Sequence, residues 1–377
     1  MQRLSLTPRP DWQAHVEQEL GFAFHTIDGK PYWDETACYA LTAVEVDELE
    51  AAIDELEQLA LELVNRVVLA GEAAYERLRI PAIAWPAIER SWTEGEKNLY
   101  GRFDLRYDGQ GPPKLLEYNA DTPTALFEAS VVQWDWLQSR WPQRDQFNSL
   151  HERLIEAWRQ FGLGDTPIYF AAVKGHGEDA GTVDYLRDTA IQSGLATERI
   201  AIEDIGWNGQ QFVDLDEAPI EALFKLYPWE WLVGEPFGAH LLTGACRVIE
   251  PAWKMVLSNK AALALLWEMA PGHPNLLPTA FTADAIAGGD VIRKPIFGRE
   301  GANIQRLVDG RVIDEVGGDY GDEGWVFQAC APLPSFDGNY PVIGGWVVAS
   351  QAAGIGIRED DTLITRDSSR FVPHFFS

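Results

Sequence analysis

Two short runs of alternating residues constrain this chain more than any other feature. In Arg102-Phe103-Asp104-Leu105-Arg106-Tyr107 and in Leu116-Glu117-Tyr118-Asn119, polar and apolar side chains alternate with the period of a β-strand. The connector Asp108–Lys114 reads DGQGPPK, dense in turn formers, so the two runs read as a β-hairpin. A symmetric turn sets Asp104 opposite Glu117 and Arg102 opposite Asn119. The polar set then shares one face, with Phe103, Leu105, Tyr107, Leu116 and Tyr118 on the other. Carboxylates directly across a ladder repel and need a neutralising partner. A divalent cation is one such partner, because Asp, Glu and Asn oxygens are hard ligands of the kind Mg²⁺ selects. The other is an arginine, Arg102 or Arg106, screening an ordinary solvated face. The local pattern does not choose between them.

Charge narrows the partners. With 58 acidic against 30 basic residues the formal net charge is −28, which argues against nucleic-acid binding. The same charge suits attraction of a cationic substrate such as a polyamine, or simply solubility. Apolar content of 46% in 377 residues predicts a globular chain of two or three lobes. Cys38, Cys246 and Cys330 show no CxxC spacing, so neither a disulfide framework nor a zinc site is expected, and a reducing cytoplasm fits. The N-terminus lacks the apolar core of a signal peptide, and no apolar run approaches the length of a membrane span. The seven histidines are scattered without an HExxH pair. Nothing in the sequence calls for an obligate protein partner.

In chain order, residues 1–41 contain no clear periodic element. Thr42 and Glu45 match a capping box, and apolar residues from Val46 to Val67 recur at three and four residues, predicting a long helix that ends near Gly71. Its acidic residues, Asp47, Glu48, Glu50, Asp54, Glu55 and Glu57, are expected on a solvated face. Thr122 suits an N-cap with Pro123 at the first helical position, opening a helix to Arg140 whose free amides are able to hold an anion. A helix is expected over 146–161. Strand 167–173, helix 184–193 and strand 199–202 form a βαβ unit without a GxGxxG fingerprint. Residues 222–232 read as an aromatic strand-to-turn segment, and Ser258 is expected to cap a helix containing Lys260, Leu263, Leu266 and Trp267. From Val291 the pattern is strand, glycine-bearing loop, strand, turn and strand. The loop Gly298-Arg299-Glu300-Gly301 lets amides approach phosphate oxygens while Lys294 and Arg299 supply charge, although it is not a P-loop. Trp325–Gln328 reads as a strand whose end can present backbone groups to a purine edge. The last strands carry Arg358.

Several of these stretches together resemble the synthetase domain of the glutathionylspermidine synthetase family of ATP-grasp ligases. The matching pieces are Arg102-Phe103-Asp104, Glu117-Tyr-Asn119-Ala-Asp-Thr-Pro-Thr124, Lys225-Leu-Tyr-Pro-Trp, Ser258-Asn-Lys260, Lys294-Pro-Ile-Phe-Gly-Arg-Glu-Gly301 and Gly354-Ile-Gly-Ile-Arg358-Glu359. They run in family order over most of the chain. The resemblance implies an α/β (α+β) ATP-grasp fold with a pre-ATP-grasp lobe. Approximate lobes would be 1–160 with the hairpin, 161–250, and 251–377 for the nucleotide. It implies ATP-dependent joining of a carboxylate, such as a peptide like glutathione, to an amine, such as a polyamine. By position, Asp104, Glu117 and Asn119 would bind two Mg²⁺ ions. Arg102, Phe103, Asp104, Lys260, Lys294, Gly301, Gln328, Arg358 and Leu363 would border ATP, with Arg102 stabilising the transition state. Thr122 and Thr124 would lie near the acyl acceptor, and Glu178 and Asp179 would grip the amine. The family's bifunctional members carry an amidase domain for which this chain has no room. A phosphotransferase or a non-catalytic nucleotide-binding protein on the same fold stand as alternatives.

Overall fold

The capping box at Thr42 starts the longest element of the protein. In the computed structural model, which describes residues 1–27, 29–299, 301–363 and 369–377, an α-helix covers Ala43–Ala70 and ends at Gly71. The Thr42 hydroxyl accepts from the Glu45 amide, and the Glu45 carboxylate accepts from the Thr42 amide. Val46, Leu49, Ile53, Leu56 and Leu63 turn into the core, as the periodicity requires. The helix lies across a five-stranded sheet so closely that a Cβ on Gly345 would come within 2.7 Å of Ile53. That closeness corrects one expectation. Glu57 is 0% exposed and accepts from the Tyr118 hydroxyl at 2.7 Å. Glu48 accepts from Tyr107, and Asp54 from the Ala352 amide. Part of the acidic face meets the sheet rather than water.

That sheet runs, in order, Arg370–Val372, Gln351–Asp360, Tyr340–Val348, Tyr100–Arg106 and Lys114–Asn119, each pair antiparallel. It joins the hairpin to the C-terminal strands, so segments 1–160 and 251–377 share one sheet. A parallel sheet of Arg247–Ile249, Ala222–Lys225, Ile168–Ala172 and Thr197–Ala201 contains the expected βαβ unit, whose helix spans Gly177–Ser193. A third sheet orders Thr279–Ala280, Trp325–Ala329, Asp290–Pro295, Gln305–Val308 and Arg311–Glu315. Aromatic packing ties the first two sheets together: Tyr100 stacks on Trp346 and also meets Phe224 of the parallel sheet.

Residues 1–41 hold more order than their pattern predicts. Strands Gln2–Ser5 and Ala37–Leu41 pair with each other, and the second also pairs with His374–Phe376. A helix spans Trp12–Leu20. The Ala37–Leu41 strand is buried along almost its whole length, which removes the alternation that would have revealed it. Two expected caps are also different. Thr122 does not open a helix: Ala125 has φ +65°, helix begins after it, and Glu128–Val132 form a π-helical turn before the α-helix Gln133–Arg140. Asn259, not Ser258, accepts from the first amide of the Ala261–Met269 helix. The helix expected over 146–161 is shorter, Leu150–Arg159. Among the described residues no helix is long and apolar enough to cross a membrane, and the three cysteines are free thiols.

Candidate active site

The hairpin has the predicted register at its chemical end. Arg102 pairs with Asn119, and Asp104 with Glu117. One step further the register shifts: Leu105 faces Leu115, so Leu116 is an extra residue in its strand. This bulge overturns the expected facing of Leu116. Leu115 goes into the core, while Leu116 lines the cavity. The bulge also leaves carbonyls for the third sheet. Lys294 Nζ donates to the Leu116 carbonyl at 2.7 Å, and Gln328 Nε2 to the Leu115 carbonyl at 3.2 Å. The hairpin is thereby docked against two strands whose contacting residues come 178 and 213 positions later.

The polar face is not a solvated one. The side chains of Asp104 and Glu117 are 15% and 24% exposed, and both line a cavity of about 460 Å³. Each carboxylate meets a protein cation. Arg102 forks onto Asp104, Nε to Oδ1 at 2.8 Å and Nη2 to Oδ2 at 3.3 Å. Lys260 donates to Glu117 at 2.7 Å and also to the Gly298 carbonyl. Arg358 stands 3.9 Å from Asp104, and the Asn119 amide donates to it at 3.4 Å. Arg106 screens Asp108 instead. Burial alone would raise the Asp104 carboxyl, but Arg102, with Arg358 and Lys260, more than reverses that and holds it below its ordinary value. Asp104 is therefore an anion. Burial pushes Lys294 the other way, down to about 8, with Glu117 opposing. Its ammonium is held by the Leu116 carbonyl and by Gln328 Oε1 at 2.8 Å.

Opposite these groups lies a second wall. Arg299 of the glycine-bearing loop donates to Thr122 Oγ1 at 2.8 Å and to Glu230 at 2.6 Å, with its guanidinium over Trp231. The loop thus bridges the hairpin's exit to the short helix Trp229–Leu232. Gly301 follows with φ +73°, a left-handed conformation that glycine takes without cost. Glu300 between them lies outside the described residues. Thr124 lines the cavity, and its carbonyl accepts from Arg102 at 2.7 Å. Asp179, in the first turn of Gly177–Ser193, lines the cavity too. One concave site therefore collects two opposed carboxylates, the Asn119 amide, the cations Arg102, Lys260, Lys294, Arg299 and Arg358, and a threonine pair.

The whole chain matches one family: residues 3–377 fit the family described as glutathionylspermidine synthase preATP-grasp. The chain belongs to this glutathionylspermidine synthase family. A Haemophilus influenzae protein named "Putative acid--amine ligase" is 43% identical, with all of both chains covered. Trypanothione synthetase of Crithidia fasciculata is 30% identical over 78% of this chain, which corresponds to half of that protein. Among solved structures, a glutathione synthetase-like effector of Globodera pallida superposes with TM-score 0.53 at 10% identity, covering 90% of this chain and 89% of that one, and so shares the fold. The mixed α/β architecture is that of the ATP-grasp ligases, and membership makes this chain an ATP-dependent ligase that forms carbon–nitrogen bonds.

Within this family fold, most of the residues picked out by sequence converge. Arg102, Asp104, Glu117, Asn119, Thr122, Thr124, Asp179, Lys294, Gly301, Gln328, Arg358 and Leu363 line the same cavity, and Lys260 reaches it through Glu117. Phe103 is the correction. It is 1% exposed and stacks on Tyr118 at 3.9 Å in the core, because neighbours in a strand face opposite ways. Its side chain does not border the cavity. Glu178 is half-buried next to Asp179 and accepts from the Tyr32 hydroxyl at 3.5 Å. Sequence reasoning missed Glu230, Trp231, Arg306 and Asp314, which carry no local pattern. It gave Arg299 a charge but not its grip on Thr122.

Proposed function

We propose that the protein uses ATP to activate a carboxylate as an acyl phosphate and passes the acyl group to an amine. The acid in this reading is a peptide such as glutathione and the amine a polyamine. The observation that carries the proposal is the convergence of Arg102, Arg358, Lys260 and Lys294 on a cavity whose floor is the Asp104–Glu117 pair. A triphosphate needs that density of positive charge, and phosphoryl transfer is catalysed mainly by positioning and charge neutralisation.

The donor set fits a divalent cation. Asp104 is held ionised, Glu117 already binds a cationic group, and both offer hard oxygens in a partly dry site. Asp104, Glu117 and Asn119 would hold Mg²⁺, two ions in this reading, which would supply Lewis-acid neutralisation of the phosphate charge. The remaining work falls to the chain itself. Lys294 and Lys260 hold phosphate oxygens. The Gly301 backbone covers the triphosphate, and Gln328 and Leu363 border the base. Arg102, fixed by Asp104 and the Thr124 carbonyl, neutralises charge on the transferring phosphoryl group, with Arg358 beside it. Thr122, held by Arg299, and Thr124 lie near the acyl acceptor, and Glu178 and Asp179 attract that amine as a cation. A cytoplasmic setting belongs to the same proposal, supported by three unpaired thiols.

ADP release with mixed pools of peptides and polyamines, followed by mass spectrometry, tests this reading. An amide conjugate whose formation needs both partners supports it. ADP release that needs no amine and leaves a phosphorylated product would replace it with phosphotransfer.

Lys294 also sets a pH dependence. Its charged form is lost as pH rises through about 8, so the ATP-binding form declines above that point. The KM for ATP should rise several-fold between about pH 7 and about pH 9. Lys294→Arg, which stays charged, should flatten the rise in steady-state measurements.

A further inference from the structure

The reaction needs a neutral amine, yet an alkyl amine reaches the site as an ammonium ion at neutral pH. None of the groups named so far disposes of that proton. Among the described residues one carboxyl is unaccounted for and stands close to the amine end of the site. Glu128 is 0% exposed, and neither of its carboxyl oxygens makes a hydrogen bond of full geometry, although the Tyr32 hydroxyl lies close enough to act on it. Leaving a buried carboxyl without a full hydrogen bond is costly, and ordinary packing has no use for it. It begins the π-helical turn Glu128–Val132, a distortion that in proteins collects at functional sites.

Its neighbours lead to the cavity. Tyr32 is buried, donates to Glu178 Oε1 at 3.5 Å, and lies within electrostatic reach of both carboxyls. Glu178 is half-buried and adjoins Asp179 on the cavity wall. Arg358, which also faces Asp104, acts on Glu128 from the Gln351–Asp360 strand. The two helices that also pack on the turn, Trp12–Leu20 and Leu150–Arg159, bury Val16, Leu150 and Leu154 in the core shared with Ala129 and Val132. Tyr32, Glu178 and Arg358 are thus the polar groups that act on Glu128.

We propose that Glu128, acting through Tyr32 and Glu178, takes up the proton that the substrate ammonium sheds before it attacks. The proton leaves the nitrogen for the Glu178 carboxylate. Protonated Glu178 then donates to the Tyr32 oxygen while the Tyr32 hydroxyl proton moves to the Glu128 carboxylate. At the end the amine is neutral with a free electron pair, Glu178 is ionised as before, and Glu128 carries the proton until product leaves. Glu128 is a positioning residue in this scheme, since it never touches substrate. Its carboxyl suits the task. Burial first, and then Glu178, raise it to about 8, so its anion is a much stronger base than an ordinary carboxylate. About a tenth is ionised at pH 7, and an ammonium docked against Glu178 increases that share.

The inference rests on the ligase reading, and the test separates the two. ADP release and conjugate formation are measured with ATP–Mg²⁺ and glutathione, using spermidine or hydroxylamine as nucleophile. Hydroxylamine is largely unprotonated at neutral pH and has no proton to shed before attack. Glu128→Gln should lower kcat with spermidine by roughly 10²-fold and leave hydroxamate formation little changed. The rise of kcat/KM for spermidine through about pH 8, measured at saturating ATP so that phosphate keeps Lys294 charged, should vanish in this variant. Tyr32→Phe, which breaks the relay while keeping the ring, should show the same selectivity. Equal losses with both nucleophiles, or an unchanged pH limb, would overturn the proposal and leave the ligase reading standing. Failure of the unmodified protein to form either conjugate would overturn both.

Discussion

Asp104→Asn should reduce ATP-dependent turnover by about 10²–10³-fold, the usual cost of losing one preorganised electrostatic group at a phosphoryl-transfer centre. Asparagine keeps the size of the side chain, so the strand and its pairing with Glu117 and Gly344 survive. What disappears is the anion. Asp104 is the counter-charge of Arg102, stands 3.9 Å from Arg358 and lies across the hairpin from Glu117. In the proposed metal site the change replaces a charged oxygen by a neutral amide oxygen, and at the same time it frees Arg102 from the fork that aims it. Titrating Mg²⁺ should not rescue the variant at concentrations that saturate the unmodified protein. The checks are steady-state ADP release across a Mg²⁺ series and a thermal melt to verify folding. Full Mg²⁺-dependent turnover would show that the metal assignment is wrong, whatever the fate of the ligase reading.

The largest expected effect on stability lies just outside the cavity. Lys225 and Asp121 form an ion pair at 2.6 Å with side chains 0% and 1% exposed. The other Asp121 oxygen accepts from the Trp229 amide at 2.8 Å, and the Lys225 ammonium lies 4.8 Å from the centre of the Trp229 ring. Burial alone lowers the Lys225 pKa, and Asp121 pulls it back. Lys225→Met leaves a buried carboxylate with a single backbone donor, which should cost about 3–5 kcal/mol. That is a large share of the 5–15 kcal/mol typical of a folded protein. Asp121→Asn combined with Lys225→Met removes both charges and should recover much of the loss, because the destabilisation comes from the unpaired charge rather than from the missing pair. Urea denaturation decides it: the single variant should shift the midpoint strongly with little change in slope, and the double variant should move back. Since Asp121 immediately precedes Thr122, the single variant should also weaken the wall on which Arg299 docks.

The comparison of pattern with structure separates residue by residue. The register Asp104 opposite Glu117 was legible because two period-two runs and a turn-rich connector leave few ways to pair. The helix Ala43–Ala70 was legible because its cap and its apolar stripe are written in consecutive residues. The bulge at Leu116 was not, since nothing in LLEYN distinguishes a bulged strand from a regular one; Lys294 and Gln328 use the carbonyls beside it from far along the chain. Thr122 satisfied every local rule for an N-cap and instead accepts from Arg299, 177 residues away. Glu57 belonged to an acidic run and is buried because Tyr118 lies above it.

The sequence by itself determined the long helix, the βαβ unit, the hairpin's pairing, the α/β class and, through its motifs, the family. Tertiary structure alone decided which charges meet. Lys260 reaches Glu117 across 143 residues, Arg299 reaches Glu230 across 69, and Glu128 comes to lie near Tyr32, Glu178 and Arg358 from three other segments. Local periodicity encodes which way a side chain faces, because backbone geometry repeats over a few residues. It does not encode which distant side chain is waiting on that face, because that depends on how whole sheets pack.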